Sequence, residues 1–348
     1  MIPTLFNSGL LGSTSGGGGG GTVGGWVELG RTTLGGTGDT ITVSSIADKR
    51  YYMILGDLQD TGGNINTLLR FNSDTGTNYA YRYSDDGGTD STLTSQGDNR
   101  IWIAEQSAPI FHVGYAANRS ANEKLVINHS VTEQAAGAAT APSRMEFAGK
   151  WANTSNAIDT VSMINSKAGS YNTGSEVVVL GWDESDTHTN NFWEELASVN
   201  ATGSSTNLSS GTITAKKYLW VQMWLDPSAS SNHFLTFNND SGTSYATRDS
   251  RDGGSDSTNT SGTKHNLAPA MPDSTPSFHN FFIINNASNE KLQIGHMVFQ
   301  NTAGASNAPQ RVEWVGKWDN TSNQITEIDM DGSSNWNSGS IMKVWGAD

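Results

Sequence analysis

Short runs rich in β-branched and aromatic residues, closed off by Gly, Asp and Asn, carry most of the apolar content of this chain. Runs of this kind predict β-strands. In the first half they are VELGRTTL, TITVSSI, YYMILGDL, TLLRFNS, NYAYRYS, RIWIAE, FHVGYAA, KLVINHSV, RMEFAGKW, IDTVSMI and EVVVLGW. The second half supplies KYLWVQMWL, FLTFNN, HNFFIIN, KLQIGHMVF, RVEWVGKW and IMKVWG. Turn formers sit between them, among them Asp74-Thr75-Gly76, Asp85-Asp86-Gly87-Gly88, Asp240-Ser241-Gly242 and Asp252-Gly253-Gly254. Apolar residues at helical spacing do not persist beyond a turn or two. The Ala-rich stretch from Ala135 to Ala141 reads as a loop, because Gly137 and Pro142 interrupt it.

The pattern occurs twice. Residues 26–183 recur as 193–348, with RMEFAGKWANTSNAI answered by RVEWVGKWDNTSNQI. Gly149-Lys150-Trp151 lines up with Gly316-Lys317-Trp318, Asn122 to Leu125 with Asn289 to Leu292, and Ile46 with Ile213, all at an offset of 167. After a one-residue slip, Phe71 pairs with Phe237 and Tyr79 with Tyr245. A solenoid repeats every 20–50 residues or so, and a period this long means whole domains, each able to bury its own core. The expected fold is all-β: two tandem jelly-roll-like β-sandwich domains after an extended N-terminal arm. The expected boundaries are an arm and tether at 1–25, modules at 26–183 and 193–348, and a linker at 184–192.

Composition narrows the chemistry. Charged residues make up 16% of the chain and the net charge is −14, with no basic stripe to meet a phosphate backbone, so nucleic-acid binding is not expected. The chain has no cysteine, which removes disulfides, thiol nucleophiles and zinc knuckles together. No stretch approaches the ~20 apolar residues of a spanning helix, and no membrane insertion is expected. The N-terminal residues lack the basic start and unbroken apolar run of a secretory signal, so the leader is expected to be retained. Its apolar residues Ile2, Pro3, Leu5, Phe6, Leu10 and Leu11 precede an unbroken run from Gly16 to Gly21. Such a run reads as a flexible tether, and the peptide beyond it as either a disordered tail or, as expected here from its apolar residues, an assembly arm that docks into another subunit.

Candidate chemistry is thin. His112 and His129 recur as His279 and His296, but a metal needs a third ligand and a fixing second shell, so hydrogen-bonded structural histidines are the expectation. Asp74, Asp85, Asp86 and Asp90, echoed by Asp240, Asp252 and Asp256, are weak calcium candidates; Asp-Gly turns can supply oxygen ligands but are also ordinary β-turns. No other cofactor is expected. No Gly-x-Ser-x-Gly elbow or zinc-protease motif occurs, and no acid–base pair stands out, so an enzyme is not expected. Trp151 and Trp318 are expected to fill the sandwich cores. Tyr171 and Trp336 hold equivalent places among turn residues and are the possible glycan contacts, although lining a turn is the plainer role.

Several ordered motifs also carry a family likeness. Trp26-Val27-Glu28-Leu29 is followed by Thr32-Thr33-Leu34-Gly35, then Ile46 and Tyr51-Tyr52. Next come Arg70-Phe71-Asn72-Ser73-Asp74-Thr75-Gly76-Thr77-Asn78-Tyr79, Gly149-Lys150-Trp151-Ala152-Asn153-Thr154, and Gly174-Ser175 leading to Leu180-Gly181. In these features each module resembles a set of phage and marine-virus virion proteins, which often begin with a Ser/Gly-rich leader similar to residues 8–25. The second module keeps less of the pattern, as at Asn238-Asn239-Asp240-Ser241-Gly242. Members usually carry one module, and here it is doubled. The resemblance implies a structural component of a virion, on the capsid surface or in the tail, and no activity. The expectation is a non-enzymatic virion protein, a capsid decoration or tail/fibre component, assembled in the host cytoplasm and anchored through its arm. Its expected partners are other virion proteins and copies of itself, with a host-surface glycan as a further possibility. A glycan- or receptor-binding β-sandwich module and a double jelly-roll shell protein are the alternatives.

Overall fold

The computed structural model describes residues 25–102, 107–186, 190–268 and 275–348. The predicted arm, with Ile2, Pro3, Leu5, Phe6, Leu10 and Leu11, lies outside the described residues. Among the described residues all regular structure is strand, and no helix is long and apolar enough to cross a membrane.

The first repeat supplies β1 (Val27–Thr33), β2 (Thr40–Ser44), β3 (Tyr51–Leu58), β4 (Thr67–Phe71), β5 (Tyr79–Asp85) and β6 (Ser91–Gln96). It continues with β7 (Asn99–Arg100), β8 (Ile110–Ala117), β9 (Lys124–Thr132), β10 (Ser143–Trp151), β11 (Thr160–Asn165) and β12 (Glu176–Trp182). An eight-stranded sheet runs β1-β12-β3-β8-β9-β10-β5-β6, and a four-stranded sheet runs β2-β11-β4-β7. The chain passes repeatedly from one sheet to the other, which makes the unit a jelly-roll-like sandwich. Phe71 of the small sheet and Trp151 of the large one lie 5.8 Å apart, ring centre to ring centre. Gly56 of β3 is a close approach between the sheets, since a Cβ there would stand 3.0 Å from the Met163 sulfur.

The second repeat copies this topology strand for strand. Its strands are β13 (Glu194–Asn200), β14 (Asn207–Ser209), β15 (Tyr218–Leu225), β16 (His233–Phe237), β17 (Tyr245–Arg251) and β18 (Ser257–Gly262). They continue as β19 (His265–Ala268), β20 (Ser277–Ile284), β21 (Lys291–Phe299), β22 (Gln310–Trp318), β23 (Ile328–Gly332) and β24 (Ile341–Ala347). The sheets are β13-β24-β15-β20-β21-β22-β17-β18 and β14-β23-β16-β19. One core draws on both: Leu208, Leu235, Phe237, Leu267, Ile328 and Met330 from the small sheet meet Val221, Met223, Phe281, Met297, Trp314 and Trp318 from the large one.

By compactness the chain divides into two units, and the division departs from the repeat boundaries in two places. Segments 85–89 and 131–145 group with the second unit. Ion pairs tie these segments to residues of the unit they group with. Arg144 grips Asp256 with two hydrogen bonds, Nε–Oδ2 at 3.0 Å and Nη2–Oδ1 at 2.7 Å, with both side chains almost fully buried. Arg248 Nε stands 3.2 Å from Asp86 Oδ1. The two-bond Arg144–Asp256 fork fixes the orientation of these two side chains.

The expected runs leave out β6 and overrun at RIWIAE, where among the described residues only Arg100, the end of β7, is strand; residues 103–106 lie outside the described set. The Ala135–Ala141 segment is irregular, as its Gly and Pro predicted.

Candidate functional site

The motif residues that repeat are braces for the fold. Asp74 closes its own turn, accepting from Gly76 N at 2.8 Å and Asn78 Nδ2 at 2.8 Å, and reaches into the core to accept the Trp151 indole N–H at 2.7 Å. Asp240 does the same with Gly242 N at 2.8 Å and Trp318 Nε1 at 2.7 Å. Burial alone would raise these carboxyls, but the donated bonds outweigh it and hold both below the ordinary range. Lys124 is fully buried beside the Trp151 ring, and its ammonium donates to the carbonyls of Asn122 and Asn153 at 3.1 and 2.9 Å. Lys291 donates to Asn289 and Asn320 at 2.8 and 2.7 Å, and burial pulls it down to about 8. Asn153 Oδ1 caps Ser155 N and Asn156 N, and Asn320 Oδ1 caps Ser322 N and Asn323 N, each at 2.8 Å. The Asn-x-Ser/Thr triplets at these positions are turn-forming sequence. Trp151 and Trp318 are each 1% exposed, in their cores as expected.

Most of the calcium candidates bond the protein itself through a carboxylate. Asp86 Oδ1 accepts from Arg144 N and Oδ2 from Ser143 Oγ, both at 2.9 Å, and Asp252 Oδ1 accepts from Arg311 N at 2.9 Å in the equivalent place. Each of these aspartates stands at positive φ before a glycine also at positive φ, the geometry of a tight reverse turn. Asp85 is exposed, and its carbonyl closes that turn by accepting from Gly88 N at 2.8 Å. Asp90 pairs at the surface with Arg82 at 3.2 Å. Among the described residues no three His, Asp or Glu side chains gather where they could hold one metal ion.

The paired histidines do not meet. His279 is directly opposite Met297 across β20 and β21, which puts the neighbouring His296 on the other face of the sheet. His112 and His279 point into the cores: His112 Nδ1 is 3.1 Å from Ser130 Oγ, and His279 Nε2 is 3.1 Å from His233 Nδ1 and 3.0 Å from Ser277 Oγ. Desolvation drives His112 and His265 down to about 3 and His233 to about 4, so all three are neutral at ordinary pH.

The two glycan candidates are corrected by burial. Tyr171 and Trp336 are both 0% exposed. Tyr171 Oη bonds Thr67 Oγ1 at 3.1 Å, and Trp336 Nε1 donates to the Met330 carbonyl at 3.1 Å. Bridges to Gly38 and Asp60, and to Pro227, fold each turn inward so that its ring plugs the sandwich. Neither face is open for a sugar to stack on.

A different surface is open. On the first unit the large sheet turns outward a cleft of about 400 Å³, lined almost wholly by apolar atoms from Trp26, Tyr51, Tyr115, Leu125, Ile127 and Trp182 among others. Strand alternation builds it. Trp182, Tyr51 and Ala117 form one row across β12, β3 and β8, with Tyr51 stacked on Trp182 at 5.4 Å. Tyr115 belongs to the next row and lies 6.3 Å from Trp26. On β9, Leu125 and Ile127 alternate with buried Lys124, Val126 and Asn128, and remain 59% and 55% exposed. Fully burying a Leu or Ile side chain is worth about 1.5–3 kcal/mol and the part still open here about half of that, so this surface favours an apolar occupant. In the second unit the equivalent residues, Tyr218, Leu292 and Ile294, are buried, and Trp220 stacks on Phe282 at 5.3 Å and lies 5.4 Å from Trp345. Sequence reading passed over the cleft, although apolar residues on both faces of KLVINHSV were its signal. A second concavity, lined by Asp249, Arg251, Ser257, Thr258, Asn259 and Asn266 among others, is polar and has no aromatic wall.

The class that fold and surface define is a tandem antiparallel β-sandwich protein with an open apolar cleft on its first unit. No family model and no curated protein matches the chain. Among solved structures it is similar to mouse laminin alpha1 chain, domains LG4-5, at 7% identity over 94% of this chain and 92% of that one, with a TM-score of 0.20. A likeness that loose carries no argument about function.

Proposed function

We propose that this protein is a non-enzymatic structural component of a virus particle, mounted through its N-terminal arm and displaying two β-sandwich domains as a capsid decoration or tail component. The observation that carries the reading is where the repeated polar residues are spent. Asp74, Lys124, Asn153 and their counterparts Asp240, Lys291 and Asn320 bond the protein's own backbone and indoles. Repeated residues that make such bonds serve a scaffold. The likeness to virion proteins around Asp74 and Asn153 supports the placement, and an apolar arm without charged side chains, on a chain with an open apolar cleft, suits assembly by protein contact. Its partners are other virion proteins and copies of itself.

The test is composition. Particles made in a host carrying the gene and in one lacking it are purified and compared by mass spectrometry. The chain is expected in the first set at a fixed copy number per particle. Its absence from purified particles, with the protein abundant in the lysate, would overturn the reading.

A further inference from the structure

The cleft on the first unit has the chemistry of a docking site, and the chain itself indicates the occupant. Residues 1–24, which lie outside the described structure, join it through Gly25 to Trp26, and Trp26 is one wall of the cleft. That segment also matches the cleft in character. Residues 1–25 contain no Asp, Glu, Lys, Arg or His, so the charge of this −14 chain lies entirely beyond them. Ile2, Pro3, Leu5, Phe6, Leu10 and Leu11 are apolar, and the cleft wall offers almost no polar surface. A sugar would leave its hydroxyls unpaired on such a wall, whereas leucine and phenylalanine side chains lose nothing there.

We propose that the cleft is the seat of this chain's own N-terminal peptide, Ile2 to Leu11. The inference deepens the reading of the arm as an attachment element and rests on it. Gly12 to Gly25 is a Gly-rich tether of 14 residues, with a root-mean-square reach of about 20 Å. A tether that short holds the peptide near the cleft at an effective concentration in the millimolar range. A lone chain therefore fills its own cleft, and copies held side by side on a particle exchange arms. Exchange of an identical element between protomers forms no new kind of contact and costs little. The arm is then both the plug of one cleft and the link to the next copy.

Photo-cross-linking tests this on the full chain. A photoreactive side chain replaces Ile127, which is 55% exposed, so the substitution leaves the core untouched. After irradiation the cross-linked position is mapped by fragment mass spectrometry. Cross-links within residues 1–12 are expected, and they are expected to disappear when Leu5 and Phe6 are both changed to Asp. Mixing isotope-labelled and unlabelled chains separates a cross-link within one chain from one between two, and either supports the proposal. Cross-links confined to other positions, or unchanged by the Leu5→Asp/Phe6→Asp variant, would overturn it. The outcome is independent of particle composition. Failure here with the chain still present in particles removes the cleft as the arm's seat and leaves the virion reading intact.

Discussion

At the scale of single residues, the side chains most easily mistaken for chemistry are structural. Asp74 was legible as a turn residue but not as the partner of a tryptophan 77 positions away, because that bond depends on how two strands meet. Asp74→Ala removes the acceptor for an indole N–H that is otherwise sealed in the core, at a cost of about 1–3 kcal/mol. Urea unfolding should show that loss, with Asp74→Asn losing less because it keeps an acceptor. A destabilisation below the error of the measurement would mean that the brace is not needed. The buried histidines make a pH prediction. His112 and His265 are depressed to about 3 and His233 to about 4, against an unfolded value near 6.5. Below pH 6.5 the unfolded chain binds more protons than the folded one, so stability falls as pH drops from about 6.5 towards 4. Thermal unfolding across that range should track the decline. NMR of the native protein should find none of these three imidazoles titrating between pH 7 and 5, and one titrating near 6.5 would contradict the burial.

At the scale of elements, β3, β12 and β21 were read end to end, because their apolar runs are bounded by unambiguous turn residues. β6 and β18 escaped because they are edge strands made of Ser, Thr, Asn and Gln, with almost nothing to bury. What makes them strands is pairing with β5 and β17 through a bulge, a tertiary fact. The burial of Tyr171 and Trp336 was not legible for the converse reason: polar neighbours imply a loop with a glycan contact as one possibility, and only the bridges that turn the loop over the core bury the ring. Close packing across β21 and β22 also has a test. A Cβ at Gly295 would stand 2.2 Å from the Trp314 ring, so Gly295→Val must displace that indole. Overpacking of this kind costs about 1–3 kcal/mol, and calorimetry should register it as a lowered melting temperature with loss of near-ultraviolet tryptophan signal. An unchanged melting temperature would mean that the ring is free to move.

At the scale of the whole molecule, duplication was the most legible feature, and the identical strand order of the two repeats agrees with it. The sheet topology itself was not legible, since pairing between distant strands leaves no local trace. Nor was the division into units, which puts segments 85–89 and 131–145 of the first repeat with the second unit. Function at this scale comes down to contrast: an acidic molecule with a neutral, apolar N-terminus. Attachment through that end, as proposed, would be an apolar contact, which salt does not screen. Binding to particles should therefore persist from about 0.1 M to about 1 M salt, and release at high salt would point to charged surfaces of the sandwiches instead. The most direct measurement is attachment without the arm. Protein lacking residues 1–25 is supplied to particles made without the native chain, and its copy number per particle is compared with that of the full chain. The account requires attachment to be lost while circular dichroism and melting show both sandwiches folded. Attachment at the full copy number would contradict it and place the contact on the sandwiches themselves.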